Sequence, residues 1–215
     1  MADLQAIADN VIEGQAPAVA ELVQAALDEN VPVRQILDEG LIAGMDVVAA
    51  RFKDGPFYIP EVLIAARAMK TGMELIRPKL IEEDIKPIGK ACIGTVKGDL
   101  HDIGKNLVLM MLQGAGFEVV DLGIDVTPEQ FVEAARDESM QIICMSALLT
   151  TTMKSIETTI QALDEAGLKD KVRTMIGGAP ITQAFADKVG ASAFAADAAS
   201  AADAAKGLVA QLQAA

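Results

Sequence analysis

The chain has 215 residues, of which 52% are hydrophobic and 3% aromatic, and its formal net charge at pH 7 is −13. This composition excludes a disordered tail, and the acidic charge argues against binding to nucleic-acid phosphates or anionic lipid. The longest uncharged stretch, 139–153, is too short to span a bilayer, and the amino terminus lacks the features of a signal peptide. We therefore expect a cytoplasmic protein with neither a nucleic acid nor a membrane as partner.

Helical periodicity dominates the first 80 residues. In the third predicted helix, Val33, Leu37, Leu41 and Met45 recur nearly on one face. Four helices with short connections predict a small bundle. The charged stretch 81–87 ends in proline and predicts a linker, which gives a first domain over 1–87. The predicted helices are 4–13, 17–29, 33–53 and 60–80.

After residue 87, short β-branched runs alternate with helical segments. The predicted strands are 90–96, 118–121, 141–146, 172–176 and 192–195, and the predicted helices are 103–115, 127–138, 151–166, 181–189 and 198–213. Five such units indicate an α/β domain over 88–215, with a parallel sheet covered on both faces. We expect the flavodoxin-like (Rossmann-like) strand order 2-1-3-4-5. Ligands of such sheets bind beyond the carboxyl ends of the strands, where the order reverses between strands 1 and 3.

The single histidine, His101, follows the first predicted strand. It lies two residues after Asp99 and next to Asp102, so a carboxylate hydrogen bond to one ring nitrogen would fix the tautomer and leave the other nitrogen for a metal. One histidine excludes a His pair or a multi-histidine zinc site, but not a single axial ligand to a metal held by a macrocycle. A surface histidine in a polar loop is the alternative. Cys92 and Cys144 lie in apolar runs and predict buried, inert thiols.

Two further loops are expected at the same edge of the sheet. Hydroxyl-bearing residues follow the third strand over 146–152, and Gly177-Gly178 follows the fourth. Helix capping and an ordinary turn are the alternative interpretations of these two segments. Because all three loops follow strands around the switch point, we expect one ligand site. Neither a dinucleotide nor a P-loop glycine motif follows the first strand.

The pattern Asp99-x-His101-x-x-Gly104, then Ser146-x-Leu148 and Gly177-Gly178, resembles the signature of cobalamin-binding domains that bind the cofactor base-off, with histidine as the lower cobalt ligand. The helical half resembles the cap domain of corrinoid methyltransferase proteins and of methionine synthase. The resemblance covers essentially the whole chain. The length is similar to that of the small corrinoid proteins of methylamine, methanol, glycine betaine and aryl methyl ether systems. The cap segments that carry it are 44–48, 51–53, 57–63 and 66–69.

The resemblance implies a role for each matching position. His101 becomes the cobalt ligand, and Asp99 becomes its hydrogen-bond partner. Phe52 and Ile59 match cap residues over the reactive cobalt face. Phe194 departs from the family, in which tyrosine is frequent, and removes a hydroxyl contact there. The remaining implied cofactor-binding residues are Gly98, Leu100, Asp102 and Gly104 in the loop, and Ser146, Leu148, Thr150, Gly177, Gly178 and Ala198 around the displaced nucleotide tail.

The function implied by the resemblance is that of a methyl carrier with cobalamin or a related corrinoid. A methyl group would pass on cobalt from a donor-specific methyltransferase to a second, acceptor methyltransferase, with a reductive activase as further partner and with hinge motion at the linker. Alone, the chain would be a cofactor-bearing subunit and not a complete enzyme. The resemblance implies that the donor would be a methylated amine, a quaternary amine, methanol or a methoxylated aromatic compound, and the sequence does not choose among these. The alternatives are a cobalamin-dependent sensor, whose relatives usually carry a DNA-binding segment, and an adenosylcobalamin mutase subunit, which lacks this cap.

Overall fold

The computed structural model describes residues 2–213. Contacts within the chain divide it into two compact units. One unit extends to Pro87 and includes Gly114–Gly116, and the other comprises Ile88–Gln113 and the chain from Phe117 onward. Within residues 2–213, none of the helices has the length and apolar character needed to cross a membrane.

The first unit is helical. Asp3 begins the first helix, because its side chain accepts a hydrogen bond from the Ala6 N–H at 3.0 Å. The third predicted helix consists of three consecutive pieces: two α-helical ones, residues 33–35 and 43–54, and a π-helical segment, residues 36–42, between them. The four predicted helices of the N-terminal part are therefore confirmed. The elements are α1 (Leu4–Ile12), α2 (Ala16–Asp28), α3 (Val33–Gln35), the π-helical segment (Ile36–Ile42), α4 (Ala43–Asp54) and α5 (Ile59–Glu82).

The second unit contains a five-stranded parallel sheet whose strands, numbered along the chain, lie in the order 2-1-3-4-5. The predicted α/β architecture and strand order are therefore confirmed. The strands are β1 (Lys90–Val96), β2 (Glu118–Val126), β3 (Ile142–Ser146), β4 (Arg173–Gly177) and β5 (Ala193–Ala195), and the helices are α6 (Ile103–Gly114), α7 (Pro128–Arg136), α8 (Met153–Glu165), α9 (Gln183–Val189) and α10 (Ala198–Gln213).

The central strands β1 and β3 are almost entirely buried, as expected for a sheet covered on both faces. Cys92 and Cys144 lie on these strands as buried free thiols. Burial raises the pKa of Cys92 to about 12 and also raises that of Cys144. Both side chains therefore stay protonated and pack as small apolar groups, as the sequence predicts.

Two predicted boundaries were wrong. Helix α5 continues to Glu82, so the first two residues of the predicted linker are helical. Strand β2 continues to Val126, five residues beyond its predicted end at 121. The added residues, 122–126, include Gly123 and Asp125, which are poor strand formers. They fit because β2 is an edge strand whose register with β1 shifts twice around Gly94.

Candidate functional site

Three loops emerge side by side at the carboxyl edge of the sheet. Thr95 near the end of β1 pairs with Ser146 at the end of β3, and Ser146 pairs with Gly177 at the end of β4. The three strands therefore end at one level. The loop after β1, residues 97–102, carries the histidine and is called the histidine loop below. The structure thus brings together the three loops that the sequence singles out.

Asp99 is the centre of this cluster. Its side chain is fully buried, and its Oδ1 accepts hydrogen bonds from the His101 backbone N–H at 3.1 Å and from the His101 Nδ1 at 2.7 Å. Its Oδ2 accepts from the Leu148 N–H at 2.8 Å and from the Thr152 hydroxyl at 2.7 Å. One carboxylate therefore joins the histidine loop to the distant loop after β3.

These hydrogen bonds set the charge of Asp99 and the tautomer of His101. Burial by itself raises the pKa of Asp99, but the donors Thr152, Leu148 and His101 together outweigh it and hold the pKa well below its usual range. Asp99 is therefore a carboxylate, which can only accept hydrogen bonds. His101 must then carry a proton on Nδ1, and in the neutral ring Nε2 holds the lone pair.

The backbone of the histidine loop is also fixed. The buried Thr95 hydroxyl donates to the His101 carbonyl at 2.8 Å, and the Ser155 hydroxyl on α8 donates to the Lys97 carbonyl at 3.0 Å. The His101 side chain nevertheless stays 51% exposed. An exposed imidazole held in one orientation by buried partners is suited to ligand binding, because the orientation is set before the ligand arrives.

Large apolar side chains are exposed on the same loops. Leu100 is 67% and Ile103 74% exposed on either side of His101, while Leu148 and Leu149 after β3 are 42% and 43% exposed. Among residues 2–213, no group of three or more His, Cys, Asp or Glu side chains is placed to hold a metal ion. One imidazole nitrogen beside apolar side chains would suit a metal that an organic macrocycle already holds.

Two glycines shape the site in different ways: Gly178 lets two loops pack closely, and Gly104 leaves open space. At Gly178, with φ of +129°, an added Cβ would lie 1.9 Å from the Ala147 carbonyl oxygen. Only glycine therefore allows the loop after β4 to lie against the loop after β3. A Cβ added at Gly104, in the first turn of α6, would meet no atom within 4 Å. A bulky ligand thus has room beside the start of this helix.

The other predicted site residues differ in their surroundings. Ser146 is half-buried, Thr150 and Asp102 are exposed, and Ala198 is buried at the start of α10. Phe194 is half-buried and packs against the core of the second unit. Phe52 is half-buried in α4, and Ile59 is exposed at the start of α5. These last two residues belong to the first unit, so their placement over a cofactor stays a prediction.

Three residues that hold the site were not predicted: Thr95, Asp125 and Thr152. Thr152 belongs to the hydroxyl-rich segment, but the resemblance points to Thr150 instead. It directly precedes α8, where its side chain accepts no capping hydrogen bond from the helix, and its hydroxyl donates to Asp99. Thr95 gives no sequence signal beyond its place in a buried strand. Asp125 follows the predicted end of β2.

Comparison with known proteins identifies the family of both halves of the chain. Residues 89–206 match a family described as B12 binding domain, and residues 3–77 match a second family with the same description. Dimethylamine corrinoid protein 3 of Methanosarcina acetivorans is 44% identical over 97% of this chain and 100% of its own length. Trimethylamine corrinoid protein 1 of the same organism is 44% identical over 86% of this chain and 87% of its own length.

A solved structure shows the same fold. The methanol:cobalamin methyltransferase complex MtaBC from Methanosarcina barkeri contains a chain with a TM-score of 0.84 and 31% identity, covering 96% of this chain and 79% of that one. Both halves of the present chain thus match B12 binding domains, and nearly its full length aligns with corrinoid proteins. The chain therefore belongs to the cobalamin-binding corrinoid proteins of methyltransferase systems, which serve one-carbon metabolism.

Proposed function

We propose that the protein is a methyl carrier that binds its corrinoid base-off, with His101 as the lower ligand of cobalt. The observation that supports this role is the His101–Asp99 pair. A half-exposed imidazole is held through Nδ1 at 2.7 Å by a fully buried carboxylate. This leaves Nε2 as the ring nitrogen with a lone pair, which is the state that a metal ligand requires.

The chain's own residues fit such a cofactor. Leu100, Ile103, Leu148 and Leu149 offer exposed apolar surface to the corrin ring. Gly104 leaves open space at the start of α6, and the hydroxyls of Ser146 and Thr150 would supply polar groups for the displaced nucleotide tail. The corrinoid, when bound, supplies a cobalt centre that takes up a methyl group and releases it. Asp99 keeps the ligand oriented, because five N–H and O–H groups fix it in the folded chain.

The donor that we propose is a methylated amine, because the relatives that match most of this chain are named for dimethylamine and trimethylamine. A donor-specific methyltransferase and an acceptor methyltransferase are the proposed partners, and the solved MtaBC complex supports partners of this class. A reductive activase is the third partner implied by the family. Phe52 and Ile59 are proposed to shield the reactive face of the cofactor until a partner binds.

Electron paramagnetic resonance tests the ligand directly. The protein is labelled with ¹⁵N-histidine, loaded with hydroxocobalamin and reduced to Co(II). Since the chain has one histidine, every labelled imidazole is His101. We expect the superhyperfine splitting of ¹⁵N, and its loss in His101→Ala. Cys92→Ser and Cys144→Ser serve as matched controls and should keep it. Splitting from the cofactor's own benzimidazole nitrogen would refute the proposed ligand.

A coupled assay tests the carrier role. The reduced, loaded protein is mixed with a donor methyltransferase and mono-, di- or trimethylamine, and the visible absorbance of the bound corrinoid is followed. We expect a change that reverses when the acceptor methyltransferase and its substrate are added. A protein that binds corrinoid through His101 but shows no such change with any donor methyltransferase encoded beside it would be a sensor instead.

A further inference from the structure

The far end of β2 is joined to the histidine loop by two hydrogen bonds that run in opposite directions. The Gly98 N–H donates to Asp125 Oδ1 at 2.7 Å, and the Asp125 N–H donates to the Asp99 carbonyl oxygen at 3.1 Å. Gly98 is exposed, so its N–H would otherwise face water. The side chain and the backbone of Asp125 thus hold peptide groups on both sides of Asp99.

The backbone of Asp125 indicates that this contact is specific. Its φ is +53°, in the left-handed region that disfavours residues other than glycine. Among residues 2–213, the other non-glycine positions with positive φ are Asn30 and Asp84. Each of those two lies just beyond the end of a helix, where this conformation is an ordinary way to end it. Asp125 instead lies inside a strand, next to a register shift.

Such a conformation persists where surrounding contacts over-determine it, and it frequently marks a functional site. The contacts of Asp125 fix the backbone around Asp99. The Asp99 carboxylate binds His101 through Oδ1 and the loop after β3 through Oδ2, so its direction depends on where its α-carbon is held. A shift of that α-carbon would misalign the 2.7 Å contact to the ring. The preference of His101 for the tautomer with its proton on Nδ1 would then be weaker.

We propose that Asp125 is a positioning residue for His101, which acts through the backbone of Asp99. The part of this proposal that concerns the cofactor rests on His101 being the cobalt ligand. The part that concerns the tautomer of His101 does not, because it applies to the protein without cofactor. The two parts are therefore tested separately.

Two substitutions change the hydrogen-bond acceptor at position 125 without adding backbone strain. Asp125→Gly removes the acceptor and adopts positive φ without cost. Asp125→Asn keeps an acceptor oxygen, and asparagine tolerates the left-handed region. Glu138→Gln is the charge-matched control. This exposed carboxylate lies just before β3, at the amino ends of the parallel strands, whereas Asp125 lies at their carboxyl ends. Circular dichroism of each variant confirms folding first.

The first readout is the tautomer of His101 in the cofactor-free protein. Long-range ¹H–¹⁵N spectra of ¹⁵N-histidine protein resolve the two ring nitrogens, and one histidine removes any ambiguity of assignment. We expect wild type, Asp125→Asn and Glu138→Gln to show protonated Nδ1 and lone-pair Nε2 at pH 8. Asp125→Gly should move both resonances toward the average of two tautomers. A general loss of stability would not produce this change in a folded protein.

The second readout is the affinity for hydroxocobalamin. We expect the dissociation constant of Asp125→Gly to rise about tenfold, which corresponds to about 1.4 kcal/mol, and that of Asp125→Asn to stay within about threefold of wild type. Unchanged ring resonances and affinity in Asp125→Gly would overturn the proposal. If wild type binds corrinoid without ¹⁵N splitting from His101, the proposed ligand fails, while the tautomer result still decides the role of Asp125.

Amide hydrogen exchange keeps the proposal testable if Asp125→Gly does not fold. The Gly98 N–H should be protected in wild type although the residue is exposed, and it should exchange faster in Asp125→Asn, whose neutral oxygen is a weaker acceptor. An unprotected Gly98 N–H in wild type would overturn the proposal.

Discussion

Replacing Asp99 with asparagine would remove one of two acceptor oxygens without changing the shape of the side chain. Four donors lie within 3.1 Å of the carboxylate, two on each oxygen. The single amide oxygen of the introduced asparagine could serve only one pair. Its NH₂ group would face the other pair, where it meets donors instead of acceptors.

The expected change in the free energy of unfolding follows from those contacts. Two hydrogen bonds to a buried charged acceptor contribute about 1.5 kcal/mol each, so their loss costs about 3 kcal/mol. The neutral amide avoids the cost of burying a charge, and we expect a net loss of about 2 kcal/mol in the free energy of unfolding. If the NH₂ group faces the imidazole, Nδ1 must become an acceptor. The proton then moves to Nε2, which can no longer bind a metal.

Urea unfolding of the cofactor-free protein, followed by circular dichroism, measures the loss. The stabilisation that Asp99 provides should decrease toward acid pH. A carboxyl group whose folded pKa lies below its unfolded value of about 4 stabilises the fold fully above that value, and the stabilisation is lost as the pH falls through the folded pKa. The difference between wild type and Asp99→Asn should therefore be constant from about pH 5 to 7 and shrink below about pH 4.

Asp102→Asn is the control, because Asp102 is exposed and its contact with the Asn106 amide is 3.3 Å long. It should change the unfolding free energy by less than about 0.5 kcal/mol. The reasoning is refuted if Asp99→Asn unfolds at the same urea concentration as wild type at pH 7, or if the difference grows toward acid.

Substitutions at four further positions test single features of the structure. Gly178→Ala should cost at least about 3 kcal/mol of stability because of the backbone clash, and a melting temperature equal to wild type would contradict this. Gly104→Ala should leave stability equal or raise it by up to about 1 kcal/mol while weakening corrinoid binding in a titration. Thr152→Val should cost about 1–2 kcal/mol in urea unfolding through its lost bond to Asp99, and Thr152→Ser should restore it. Lys171→Met should cost about 1–2 kcal/mol, since the ammonium group donates to three carbonyls at the end of α7; unchanged unfolding would show that water replaces it.

The sequence predicts the architecture well because each element carries its own periodicity. Short β-branched strands alternate with helices after residue 87, and strand order and ligand edge follow from that alternation. The pairing of His101 with Asp99 was also predictable, since the two residues are close neighbours in the chain. The π-helical segment was not, because its hydrogen-bond pattern is not encoded in apolar spacing.

The remaining parts of the site depend on contacts between distant residues. Thr150 and Thr152 are chemically alike in sequence, and only the folded loop shows that Thr152 is buried against Asp99, 53 residues away. Asp125 looks like the residue after a strand, because the edge position and the bulge of β2 are tertiary features. The contacts that orient the His101 side chain were therefore less predictable than the singling out of His101 itself.

The exposed leucine and isoleucine side chains beside His101 have a consequence for the protein before it receives its cofactor. Leu100, Ile103, Leu148 and Leu149 keep apolar surface in water, which is unfavourable in free energy and promotes contact between molecules. Covering these side chains with a corrin ring would remove their apolar surface from water. Freshly made chains should therefore be less soluble than filled ones, and a supply of corrinoid during synthesis should raise the yield of soluble protein.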